Sequence, residues 1–410
     1  MANNFLNTNW VSMDILRLLL NKLECTEYFN RSWERDFEEE FAPGASITVK
    51  FPQRFFATDG MGYAPQAINR ISTTISLDQW IQVSFEWDDY ERAVKLERSE
   101  AELRENYFDP AAATIAQEWD SRAALFARYN ISGIVGSLGT DPTTVSTYYS
   151  ARQYLKEQAC PAGKRGAIIS SSMMNSLGSN ITSIFHPADE IDAMWKEGAI
   201  GKLAGFNFFE SNSLYSHTAG TWAGTVKVVG AGQSGTSLII SGTNGDTINQ
   251  GDKFNIAVVN RVNPMTRRIV GKATLKTFTA TQAYTLTGGN DTINILPAIY
   301  GPGSQYQNVD ALPADQAALT LWPGTTSPNG KVGTVALALS RYGFGFVGAK
   351  LYQPKAVESA AAVIDPDTRM NVRKVKAWDP VRSMLINRMD SLGGFGNLYQ
   401  DNGAVAILGA

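Results

Sequence analysis

Cysteine and histidine are nearly missing from this 410-residue chain, which has two of each. Cys25 and Cys160 lie too far apart in sequence for a disulfide framework or a Cys/His metal site. A charge excess of either sign is missing as well. Thirty-six basic and thirty-nine acidic side chains leave a net charge of −3, so no global basic field exists to hold nucleic acid or an anionic membrane. No stretch reaches the roughly 18 continuous apolar residues of a membrane span. The start, Met1-Ala2-Asn3-Asn4-Phe5, lacks the basic head and apolar core of a signal peptide. The expectation is cytosolic folding without a membrane, with two or three domains at roughly 100–200 residues each.

Chemical constellations are equally thin. Gly343-Phe344-Gly345-Phe346-Val347-Gly348 spells a dinucleotide fingerprint, but that motif needs a following helix N-terminus and Pro354 blocks one. His186 stands before Pro187, and His217 sits in a Ser/Thr/Gly-rich stretch where exposure is expected. Neither belongs to a nucleophile motif. Asp88-Asp89, Asp365-Pro366-Asp367 and Asp246 with Asp252 lack the spacing of a Ca²⁺ loop and suit turns. Lys202, Arg267, Arg268, Arg373, Lys374 and Lys376 are the main basic candidates. Val372, Val375 and Trp378 interleave with the last three as in a charge-protected edge strand. No catalytic residue, cofactor or metal is expected.

What is present is periodicity. Ser12 and Asp14 open a helix striped by Leu16, Leu19, Leu20 and Leu23, and Glu38–Glu40 reads as a solvated acidic run. Alternation over 45–56 and 71–87 predicts a long two-stranded ribbon with a Gly60/Gly62 tip and aromatics at Phe55, Phe56 and Trp80, which needs another surface to cover it. Asp109-Pro110 starts a helix with Ile115, Trp119, Ala123 and Phe126 on one face. Tyr148–Ala159 and Asp189–Glu197 read as helices and 167–170 as a buried strand. From Tyr215 to Ile299 the texture turns to Gly, Thr, Ser, Val and Ile. Strands are predicted at 225–229, 237–241, 253–259, 269–279 and 292–296, with Gly301-Pro302-Gly303-Ser304 as the exit. A mixed texture like that of Ser150 to Gly205 is expected to return at Ala314–Leu321. Strands are expected at 372–378, 384–389 and 404–408.

Several of these stretches, in this order, resemble one family. They are Asn21–Glu24, Tyr28–Trp33, Gly44–Pro52, Phe108–Ala112 with Ile115, Ala116 and Asp120, and Leu203–Phe206. The most specific is Gly251-Asp252-Lys253-Phe254-Asn255-Ile256-Ala257-Val258-Val259-Asn260-Arg261-Val262-Asn263-Pro264-Met265-Thr266-Arg267. Together they resemble the major capsid (coat) proteins of tailed double-stranded-DNA phages, in the branch with an inserted β domain. The resemblance implies an α+β chain of the Hong Kong 97-type phage capsid fold with a β-barrel-like insertion. It divides the chain into an N-terminal arm (1–44), an extended loop (45–88), a peripheral domain with a spine helix (89–165), an axial domain (166–214 and 300–365), the inserted β domain (215–299) and closing C-terminal strands (366–410).

The implied function is assembly rather than catalysis. Pentamers and hexamers close into an icosahedral shell, with a scaffolding protein, a portal protein, packaged double-stranded DNA held without sequence specificity, and a possible decoration protein as partners. Assembly would take place in the host cytoplasm, and the protein would end in the virion. Leu16, Leu19, Leu20, Leu23, Phe55, Phe56 and Trp80 are the candidate assembly-interface residues. The alternative is a tail or adhesin-type structural protein with a carbohydrate-binding β module, which would account for 215–299 but not for the segments before it.

Overall fold

The computed structural model describes residues 25–31, 46–51, 54–55, 60–63, 65–68, 71–88, 104–181, 201–321, 330–355, 357–364 and 371–410. The chain divides into two compact units, one of Met1–Val49, Thr73–Ala123 and Gly345–Asn397, the other of Lys50–Ser72, Ala124–Phe344 and Leu398–Ala410.

The first unit is built on helix α1, Asp109–Asn130, whose last turns belong to the second unit. A π-helical turn, Arg104–Phe108, runs directly into it, so Asp109 is not the expected N-cap, and no glycine or proline after Pro110 interrupts the helix. Of the predicted stripe, Ile115, Trp119 and Ala123 are fully buried and Phe126 is half-buried. Trp119 meets Phe346 at 5.2 Å and Phe395 at 5.8 Å between ring centroids, and Phe29 meets Phe395 edge-on at 5.7 Å. Its indole N–H donates to Ser391 Oγ at 3.1 Å. The Asp120 carboxylate accepts both Thr26 N–H (3.1 Å) and Thr26 Oγ–H (2.9 Å), fixing the turn at Thr26–Tyr28.

The five-stranded sheet of this unit runs Phe344–Gly348, Met384–Asn397, Asn371–Asp379, Ser359–Ile364, with Gln79–Asp88 also on Met384–Asn397. Gln79–Asp88 pairs antiparallel from Gly393↔Gln79 to Met384↔Asp88. Gly394 is required by crowding, since a Cβ there would stand 1.8 Å from the Ser76 carbonyl oxygen.

The expected ribbon is therefore shorter than 45–88. Ser46–Lys50 and Ser72–Ser76 form a two-stranded hairpin, but the 71–87 run breaks at Leu77-Asp78 and its second part, with Trp80, is a strand of the sheet. Continuous alternation hid the break because both halves expose every second residue.

The second unit holds a mixed seven-stranded sheet and a barrel. The sheet order is Gly133–Gly136, Ala404–Leu408, Val332–Ser340, Arg165–Ile169, Phe206–Glu210, Lys202–Leu203, with Ser216–Thr218 also on Val332–Ser340. Two pairings are parallel, 404–408 with 133–136 and 165–169 with 206–210. Helices α2 (Val145–Glu157) and α3 (Ser171–Ile181) contribute to its core. Tyr148, Ala151, Tyr154 and Leu155 recur at helical spacing and bury against Phe208, Ala338 and Val405. The strand 133–136 and helix α3 were not predicted. Four Gly-rich residues carry no period, and the Met173/Leu177 stripe of α3 is only two residues wide.

The barrel is antiparallel and six-stranded, in the order Leu319–Leu321, Lys253–Asn260, Leu275–Ala280, Asp291–Ile299, Gly235–Ser241, Lys227–Val228. The last strand returns to the first. Val228 N–H donates to Ala317 O at 2.9 Å, Leu319 N–H to Val226 O at 2.8 Å, and Lys227 bridges Ala318. Closure leaves no edge between these strands. Val226, Val228, Leu238, Ile240, Phe254, Ile256, Phe278 and Ile293 are fully buried. Two boundaries differ from 215–299. Ser216–Thr218 belongs to the mixed sheet, and the closing strand Leu319–Leu321 lies past the expected exit, in the stretch expected to have left the β module.

Candidate functional site

The segment that singled itself out in the sequence, Gly251–Arg267, is where the barrel meets the ends of α1 and α2. Gly251 has φ +87°, and a Cβ there would approach Tyr129 Cδ1 to 2.8 Å. Next to it, the buried Asp252 carboxylate gathers three donors: Gly220 N–H at 2.9 Å, Asn249 N–H at 2.7 Å and His217 Nε2 at 2.7 Å. Arg128 donates to His217 Nδ1 at 3.1 Å and to Ser216 O at 2.7 Å. That pattern fixes His217 as the Nε2–H tautomer, donating to Asp252 and accepting from Arg128.

Lys253 carries its ammonium to the C-terminal end of α1, donating to Arg128 O (3.2 Å), Ile131 O (2.5 Å) and Thr279 Oγ (3.3 Å). Carbonyls at a helix C-terminus are unpaired and carry the negative end of the helix dipole, so a cation is favoured there. Complete burial nonetheless pushes Lys253 down to about 7, with Arg128 adding to the effect and Asp252 opposing it.

The same segment grips α2. Arg261 pairs with Glu157 at 2.5 Å and lies 4.7 Å over the Tyr154 ring, while Asn263 Nδ2 donates to Glu157 O at 2.7 Å. A third clamp comes from the neighbouring barrel strand. Lys276, fully buried, pairs with Asp401 at 2.5 Å, and Ser132 Oγ donates to the other Asp401 oxygen at 2.8 Å. Burial lowers the Lys276 pKa, opposed by Asp401.

These groups make a seat, not a reaction centre. A His–acid pair serves as a base only if its second nitrogen faces a nucleophile, and His217 Nδ1 faces a guanidinium instead. The cavity beside it, lined by Arg128, His217, Asp252 and Lys253, has a volume of about 20 Å³, room for a water molecule and not for an organic substrate.

His217 is thus buried, not exposed as expected, because the barrel turn at 247–252 closes over it. Asp246 also anchors a loop, accepting from Ala223 N–H at 2.6 Å and Thr243 N–H at 2.9 Å. Asn371–Asp379 is paired on both sides and so is no edge strand, and Lys374 lies 3.7 Å over the Phe108 ring. Phe344–Gly348 is a fully buried strand with no helix after it at 349–355. His186 and Asp365–Asp367 lie outside the described residues, as do the predicted helix 189–197 and the Glu38–Glu40 run.

Of the candidate assembly residues, Leu16, Leu19, Leu20, Leu23 and Phe56 lie outside the described residues. Phe55 is 65% exposed, as are Met61, Tyr63 and Ile68 to similar or greater degree. Gln305 Nε2 donates to Arg54 O (2.8 Å) and Ala67 O (3.1 Å), tying the two limbs of the hairpin together just below Phe55. Trp80 is 45% exposed on the five-stranded sheet. Sequence inspection missed the seat residues Arg128, Ser132, Glu157, Lys276 and Asp401. One signal was available: no Asp or Glu occurs between Asp252 and Asp291, yet Lys253, Arg261 and Lys276 punctuate that stretch, so their counter-charges had to come from elsewhere in the fold.

A family model described as P22 coat protein, gene protein 5, matches residues 43–329. Among solved structures, a chain of Mycobacterium phage Che8 is 14% identical with a TM-score of 0.47, covering 99% of this chain and 98% of that one. The capsid of Ralstonia phage GP4 is 9% identical with a TM-score of 0.46, covering 94% and 90%. The mature capsid of bacteriophage PhiM1 is 10% identical with a TM-score of 0.41, covering 93% and 88%. No curated protein matches the sequence.

Proposed function

Because the chain belongs to the P22 coat protein family, a family of major capsid proteins that form the phage shell, we propose a specific course for its assembly. Copies associate into pentamers and hexamers that close into an icosahedral shell around double-stranded DNA held without sequence specificity. A scaffolding protein and a portal protein take part, assembly proceeds in the host cytoplasm, and no catalysis is involved. Heterologous contacts that close into rings suit this role.

The observation that carries the reading is the family match over residues 43–329, which starts well before the barrel and runs through it. A tail or adhesin-type protein would share only the β module, and so it is not favoured. The division of labour we propose follows the fold: the arm and the hairpin tip, with Phe55, contact neighbouring copies, and the seated barrel stiffens each subunit. Electron microscopy of the purified full chain tests the proposal. Shells, rings or tubes are expected, and a monodisperse small particle under all assembly conditions would overturn it.

A further inference from the structure

On the five-stranded sheet, Gln79–Asp88 turns Trp80, Gln82, Ser84 and Glu86 outward, and all four are exposed. Residues directly opposite one another share a face, so Leu392, Asp390, Arg388 and Ile386 lie on the same side, and Arg373, Val375 and Ala377 beyond them. On this face Asp390, itself fully buried, accepts Arg373 Nε (2.9 Å) and a terminal Arg373 nitrogen (2.5 Å), together with Arg388 Nε (3.0 Å). Both guanidinium carbons stand 5.8 Å from the Trp80 ring centroid.

One carboxylate thus serves two guanidiniums and leaves a surplus positive charge. That surplus falls on Arg388, whose side chain is 39% exposed against 13% for Arg373. Arg373 spends another nitrogen on Tyr352 O at 2.8 Å. Arg388 uses only Nε, so its terminal nitrogens present an open fork of the geometry that takes a carboxylate. Glu86, diagonal to Arg388 on the same face, has no ion-pair partner among the described residues.

We propose that this face docks on the same face of a second copy, Glu86 of each closing on Arg388 of the other, with Trp80 beside them as the apolar anchor. The face is self-complementary, as a two-fold contact requires: it carries an arginine whose terminal nitrogens are open and a carboxylate without an ion-pair partner among the described residues, flanked by the half-buried Val375, Ile386 and Leu392. Tryptophan and arginine are the residues that dominate such contacts. Glu86 argues against a polyanion such as DNA, since its exposed carboxylate would face the phosphates.

The proposal deepens the coat reading, and a mixing experiment separates the two. Arg388→Glu and Glu86→Arg, each in the full chain, should each lower the self-association constant at least tenfold, since each alone sets like charges against each other. An equimolar mixture of the two should recover wild-type association, because each mismatch in one copy is matched by the other. Wild-type association should weaken with added salt. Single variants that associate like wild type, or a mixture no better than its components, would overturn the proposal while leaving wild-type shell formation as the test of the coat reading. Single variants that form normal shells but retain less DNA would reassign the face to nucleic acid and also overturn it. Glu86→Arg breaks no ion pair among the described residues of the subunit, so its unchanged melting serves as the folding control, whereas Arg388→Glu gives up one bond to Asp390 and is read through its recovery in the mixture.

Discussion

Around Trp119 the contacts are ring on ring, with Phe346, Phe395 and Phe29 meeting at 5.2–5.8 Å and a single indole hydrogen bond among them. Under the barrel the contacts are ion on ion and ion on carbonyl: Lys253 on the end of α1, Arg261 on Glu157, Lys276 on Asp401. Both regions are buried, and they tolerate change differently. An apolar core loses roughly what it gave up in packing when a side chain is cut back. A buried ion pair loses far more when one partner goes than when both go, because a lone charge stays behind in a low dielectric.

The largest effect should come from Asp401→Ala. It strands the fully buried Lys276 ammonium, at a cost of about 3–5 kcal/mol of unfolding free energy. Lys276→Met with Asp401→Leu should return most of that loss, as apolar replacement of whole pairs often does. Trp119→Ala is expected to cost about as much, roughly 3–5 kcal/mol, but no partner change should restore it. Urea melts of all three variants read this directly. If Asp401→Ala costs under 1 kcal/mol, the clamp does not hold the barrel and the contrast fails.

A smaller effect separates the regions by pH. Lys253 is held at about 7 by burial, against about 10.4 for an unperturbed lysine. Between those values the unfolded chain keeps a proton that the folded chain has shed. Unfolding then takes up a proton, and stability rises with pH across that window. The penalty for the charged form is fully present below pH 7 and fades above it. Lys253→Met should flatten part of that rise in thermal melts between pH 7 and 10, whereas Trp119→Phe should leave its slope unchanged. A wild-type and a Lys253→Met curve of equal slope would mean that the carbonyls of α1 keep the ammonium charged throughout.

The two regions also differ in how far the sequence disclosed them. The Ile115, Trp119, Ala123 stripe spells its own burial, because helical period and side-chain type agree. So do the barrel strands 235–241 and 291–299, whose alternation matches the buried face, whereas in 253–260 the alternation of Phe254, Ile256 and Val258 fails at its end: the register shifts, Val258 turns outward at φ +67° and Val259 is buried in its place. The seat was illegible for a physical reason. Asp252, Lys253 and Asn263 are turn and surface residues by type, and only the fold shows that each faces a helix end or a buried histidine. The closing strand Leu319–Leu321 was missed because three residues set no period, and the turn-rich chain after Ile299 imitates an exit. Trp80 was assigned to the ribbon because alternation continues across Leu77-Asp78, where the strand changes partner.

The smallest expected change in subunit stability is at the hairpin. Phe55 is 65% exposed, so replacing it by aspartate removes little buried area and strands no charge, and the melting temperature of the unassembled subunit should barely move. Gln305 still ties Arg54 to Ala67 through backbone carbonyls, which no side-chain change at Phe55 disturbs. The consequence should lie between subunits. A carboxylate placed where a neighbour's apolar surface is expected must be desolvated at that contact and at every symmetry copy of it, so a modest penalty per site is multiplied around the shell. Shell yield in a sedimentation assay should therefore fall steeply while the melt stays put. Equal losses of monomer stability and shell yield would place Phe55 in the subunit's own packing, and normal yield would remove the hairpin tip from the assembly surface.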